Sequence, residues 1–301
     1  RNPIHPDIAA AAAEGHWISF CNPLRGAPAF PAHLGTIERN IGYAVDAGLK
    51  GLGGMAYAFP GNAGELFMAA ERTWNRAGRD REAVLRAYAL EQGAADPAAE
   101  AEAYRLYDDA LIVQNHADTR CTGQPFGNFS RLTCLLERIR SNAPVDEFVM
   151  RVADEMEDTE CPAIDRALRD AEKALEQARN AADPLLQPRC EYLCGALRIT
   201  RAVTEAFVMN CREKCWDFYK GPWEGNFPDA LQACLDAIQR EAEILDPLYR
   251  RIAAMEGWAP AFYKSKSDWF DKKSPAAALA ALAASIDPHA VTTSATPSPA
   301  S

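Results

Sequence analysis

The chain has 301 residues, of which 48% are hydrophobic and 25% charged. This is globular composition with room for one large domain or two smaller ones, and it excludes a disordered chain, a collagen-like fibre and a small disulfide scaffold. A net charge of -10 argues against a nucleic-acid surface, since affinity for phosphates rests on Lys and Arg. No apolar run approaches the roughly 20 residues of a membrane-spanning helix, so no membrane span is expected. Alanine, the best helix former, occurs 57 times and tilts the expectation toward helices.

The sequence opens at Arg1, without methionine and without the basic-then-apolar pattern of a signal peptide. The expectation is a processed chain or a fragment of a longer protein, and a signal peptide on that parent would make it periplasmic or secreted. Nine cysteines leave at least one outside any set of disulfides.

In chain order, Asp7–Glu14 is helix-like and His16–Cys21 is a short apolar run that reads as a strand. From Leu34 to Ala47, Ile37, Ile41, Ala44 and Val45 recur at helical spacing, with Gly48 as the stop. Lys50–Tyr57 then reads as a second buried strand, giving one βαβ unit whose strands should be parallel. Two parallel strands do not make a stable sheet alone, and nothing later in the sequence reads as a strand. The opening is therefore expected to be the end of a truncated α/β domain.

After Asn62 the pattern is helical: Ala63–Asn75, Arg81–Gln92, Pro97–Val113, Phe129–Ser141, Val145–Glu157, Pro162–Ala182, Leu185–Tyr219 and Pro228–Met255. Asp80, Asp96 before Pro97, and Asp229 after Pro228 are start signals. From Lys272 the chain is alanine-rich, and Val291–Ser301 is a Thr, Ser and Pro tail expected to bury nothing. The organisation expected is a first segment 1–78, a helical domain 79–271 and a terminal segment 272–301.

The most distinctive pattern is Cys190-x3-Cys194 with Cys211-x3-Cys215. A disulfide-stapled hairpin would need a turn between the pairs, and Gly195–Asn210 has no proline and no turn cluster. On one continuous helix the four cysteines share a stripe with Leu193, Leu197, Val208 and Phe218. The pairs then stand about 30 Å apart at 1.5 Å rise per residue. Cysteine packs as a small hydrophobe, so these side chains are expected in the core, not on a metal.

The five histidines lack ligand spacing, and no nucleophile elbow, phosphate loop or dinucleotide fingerprint is present. The sequence gives no reason to expect a cofactor. The acidic run Asp154–Glu160 lacks the ligand alternation and central glycine of a calcium loop, and reads as a solvated helix end. The aromatic stretches Trp216–Phe227 and Trp258–Tyr263 fit either sugar stacking or the capping of helix ends.

One stretch resembles a known family. Gly48-Leu-Lys-Gly-Leu-Gly-Gly-Met-Ala-Tyr57, then Glu65-Leu-Phe-Met-Ala-Ala-Glu-Arg-Thr-Trp-Asn75, then Gly78-Arg-Asp-Arg-Glu-Ala-Val-Leu-Arg-Ala-Tyr-Ala89 is similar to the last barrel strand, its helix and the following segment of bacterial glycoside hydrolases related to family 20 β-hexosaminidases. The helical remainder resembles their C-terminal regions only in style.

The resemblance implies a mainly α chain: the last βα units of a truncated (β/α)8 barrel followed by a C-terminal helical domain. His16–Cys21 would be the seventh strand and Lys50–Tyr57 the eighth. Active sites of such barrels lie at the carboxyl ends of the strands, which implies Asn22, Arg25, Tyr57 and Asn62 as substrate-facing residues and a carbohydrate as partner. Tyr57 would stack on or hydrogen-bond a sugar and Arg25 would meet a carboxylate or hydroxyl; the alternative for each is a loop residue with no ligand. The catalytic carboxylate pair sits on a middle strand that is absent here, so the chain alone is expected to be inactive. The rival expectation is a self-contained helical interaction domain without enzymatic activity.

Overall fold

The computed structural model describes residues 6–15, 18–19, 34–49, 52–53, 63–74, 80–119, 129–214, 223, 225–255 and 274–291. The protein is mainly α. Helices α1 (Pro6–Ala13), α2 (Leu34–Asp46), α3 (Ala63–Trp74), α4 (Arg81–Glu91), α5 (Pro97–Thr119), α6 (Ser130–Arg140) and α7 (Glu147–Glu155) lead into a π-turn at Met156–Glu160. Helices α8 (Cys161–Ala178), α9 (Leu186–Lys214), α10 (Phe227–Met255), α11 (Pro275–Ala283) and α12 (Pro288–Val291) follow. None of the described helices is long and apolar enough to cross a membrane.

Strands β1 (Ile18–Ser19) and β2 (Leu52–Gly53) pair in parallel, Ile18 opposite Leu52 and Ser19 opposite Gly53. The expected order of strand, helix and parallel strand is thus present, among the described residues as a two-residue ladder. So little sheet does not support a barrel end as the observed architecture. The other residues of the two expected strands lie outside those described.

Local chemistry explains the helix boundaries. Asp80 and Asp146 accept from Ala83 N at 2.8 Å and Val149 N at 2.9 Å, while Asp96 accepts from Ala98 N and Ala99 N, both at 3.1 Å. Each satisfies amides that a helix start leaves unpaired. Asp229 does not cap α10; it lies in the first turn and accepts from Asn226 Nδ2 at 2.6 Å. At the end of α2, Gly48 takes φ +72°, and Leu49 N reaches back to Ala44 O at 3.0 Å, the Schellman closure that glycine permits. The alanine-rich end is structured: Ser274 caps α11, whose Ala276, Leu279 and Ala283 are buried, and Val291, expected to bury nothing, is 5% exposed.

Two compact units organise the chain. The first gathers residues Arg1–Ile112, Asp170–Glu191 and Arg251–Lys264; the second gathers Val113–Arg169, Tyr192–Arg250 and Ser265–Ser301. In the first, α3 packs against α2 and α4, and Ile37, Ile41, Met68, Val84 and Leu85 are buried. In the second, α11 packs on α6.

The expected one-sided stripe on α9 is too narrow. Cys190, Cys194, Cys211, Leu193, Leu197 and Val208 are all buried, but so are Tyr192, Ala196, Ile199, Val203, Ala206, Phe207 and Met209. A helix apolar around most of its circumference is an interior helix. Cys215 and Phe218 lie outside the described residues. At Gly195 a Cβ would stand 2.7 Å from Leu245 Cδ2 and 3.2 Å from Glu241 Oε2, so the glycine sets how closely α9 and α10 approach.

Two packing predictions follow from α9. Gly195→Ala should destabilise the protein by about 1–3 kcal/mol, since overpacking displaces a buried neighbour. Cys194→Ala or Cys211→Ala should cost on the order of 1 kcal/mol through a small cavity. Urea unfolding midpoints at fixed pH read both, and an unchanged midpoint for Gly195→Ala would contradict the close approach.

Candidate functional site

The buried polar chemistry described in the first unit centres on Asp108, in the middle of α5. Its Oδ1 accepts from Leu34 N at 2.7 Å and its Oδ2 from Gly35 N at 3.0 Å. Arg81, the first residue of α4 behind its Asp80 cap, donates to Oδ2 at 2.5 Å. A Cβ on residue 35 would lie 3.2 Å from that oxygen, so Gly35 admits the carboxylate.

Asp108 is only 2% exposed. Burial pushes its carboxyl above the usual carboxylate range, and Arg81 and the two amides pull it back only in part. The network continues outward: Arg81 also meets Asp109 at 3.1 Å, and Arg105 bridges Asp109 at 2.9 Å and Glu102 at 2.6 Å. Both oxygens of Asp108 are committed to donors. Its role is to hold the start of α2.

The same face of α5 carries two more polar anchors. Glu100 accepts from Ala182 N at 2.7 Å and Asp183 N at 3.2 Å. Tyr104 donates to Asp183, which also accepts from Leu185 N at 2.8 Å. Burial, with the Asp183 charge beside it, pushes the Tyr104 phenol well above its ordinary range. These groups close the turn before α9.

A second cluster lies in the second unit. Arg131, in the first turn of α6, makes a bidentate pair with Glu160 at 2.8 and 3.1 Å and donates to Ala117 O at 2.7 Å. Their side chains are 3% and 7% exposed. Ala117 stands near the end of α5, where carbonyls lack helical partners, so the guanidinium also caps that helix.

Glu160 is presented by the π-turn, in which Cys161 N donates to Met156 O. The cause is Pro162: it has no N–H for Asp158 O and its ring crowds that carbonyl, so the turn before it widens. The wide turn also sets Glu157 against Arg212. Phe129, fully buried just before α6, holds φ 50° and ψ 30°, a left-handed conformation costly for a bulky side chain.

The acidic run Asp154–Glu160 is therefore not simply a solvated helix end, because Glu160 is a buried partner of Arg131. The pattern carries the signal in both clusters. Asp108 sits on the apolar stripe Tyr104, Tyr107, Leu111, and Arg131 on the stripe Leu132, Leu135, Leu136, Ile139. A charge in such a stripe requires a buried partner, although the stripe does not name it.

The four residues expected to face substrate, Asn22, Arg25, Tyr57 and Asn62, lie outside the described residues. Among the described residues, no group of three or more His, Cys, Asp and Glu is placed to hold a metal ion. Arg201 pairs with Asp165 at 3.1 Å and Glu205 at 2.9 Å and lies within electrostatic reach of Cys161 and Cys234. Burial pushes the two thiols up to about 11 and about 12, which keeps them protonated and unreactive near neutrality.

Comparison with protein-family models, curated proteins and solved structures found no match for this chain.

Breaking a buried pair strands its partner. Asp108→Asn and Glu160→Gln should each cost about 3 kcal/mol or more on that ground, whereas Arg86→Ala, at the exposed Arg86–Glu82 pair, should cost well under about 1 kcal/mol. Denaturant unfolding of the three variants checks the ranking. The thiols give a pH prediction. Their folded values lie above the ordinary 9.0, so the stabilisation is complete below pH 9 and lost as pH rises toward 11 and 12. A Cys161→Ala/Cys234→Ala variant should show a shallower alkaline decline in stability; an unchanged slope would reject this assignment.

Proposed function

We propose that this chain serves as the C-terminal part of a glycoside-hydrolase-like, carbohydrate-active protein. In this reading β1 and β2 are the seventh and eighth strands of a (β/α)8 barrel. The later helices form a support domain, and the catalytic carboxylates come from elsewhere in the parent. The supporting observation is the parallel β1–α2–β2 order followed by α3, of which β2 and α3 lie in the stretch whose sequence carries the resemblance. Parallel strands occur in sheets of several strands covered by helices on both faces, which a barrel of this kind would supply.

The role of the chain is then one of positioning. Asn22 and Arg25 follow β1 and Tyr57 and Asn62 follow β2, in the sequence positions from which barrel loops supply substrate contacts. Asp108 fixes the helix start on which the first of these connections ends. A second reading, a self-contained helical interaction domain, draws support from the predominance of helix over the two-residue ladder.

The 301-residue chain should show no turnover of aryl glycosides, since positioning residues without a carboxylate pair cannot protonate the leaving group. In a longer parent carrying upstream βα repeats, Tyr57→Ala should lower turnover while leaving the unfolding midpoint unchanged. Hydrolysis by the isolated chain, or full activity of the Tyr57→Ala parent, would overturn the proposal. A reading frame with no βα repeats upstream of Arg1 would favour the interaction domain.

A further inference from the structure

We draw no further inference here: the strongest candidate, the exposed apolar stripe of Leu66, Ala70 and Trp74 along α3, carries nothing because nothing in the structure shows what covers it.

Discussion

A helical chain leaves up to four amides unpaired at the start of every helix and four carbonyls at its end, and this protein is organised around satisfying them where they are buried. Asp108 is the clearest case. One carboxylate takes both Leu34 N and Gly35 N and thereby fixes α2, on which α3 packs, with α4 in turn on α3. Arg81 balances its charge, so the start of α4 is tied to the same point. Buried carboxylates are costly unless paired and hydrogen-bonded, and here the pairing partners are the helix ends themselves.

The same solution recurs with other residues. Glu100 holds the amides of Ala182 and Asp183, and Asp246 Oδ1 accepts from Ser274 N at 3.2 Å while Ser274 caps α11. Arg131 works at the opposite pole, donating to a carbonyl near the end of α5 while Glu160 neutralises it. The buried charges described here are consequently spent on architecture. Asp108, Glu160 and Arg131 have the burial that functional groups often show, but their hydrogen-bonding capacity is taken up by backbone and by one another.

The π-turn shows how one residue propagates. Pro162 removes a donor and crowds a carbonyl, the turn before it widens, and two glutamates three residues apart face different arginines, Glu157 on Arg212 and Glu160 on Arg131. A regular α-helix through this stretch would rotate one relative to the other, so the irregularity is what brings both pairs together. Phe129 and Asn142, with φ 50° and 51°, bracket α6, and both are held by the backbone bonds their carbonyls or amides make there.

The sequence by itself determined the elements governed by local forces. Asp80, Asp96 and Gly48 mark boundaries through contacts within a few residues, and the 3.6-residue repeat placed α2 to α10 because each segment needs one apolar face. It also indicated that the cysteines at 190, 194 and 211 are core, since their spacing shares a face with Leu193 and Leu197. Tertiary structure decided whatever depends on distant residues. That α9 is buried on nearly all sides follows from its neighbours, not from its own periodicity. That residues 170–191 join 1–112 is set by Glu100, Tyr104 and Asp183 across some eighty residues of chain. The partners of Asp108 and Arg131 were equally illegible, because a stripe reveals that a buried charge needs a counterpart, and only the fold brings Leu34, Gly35 and Glu160 within hydrogen-bond distance to supply it.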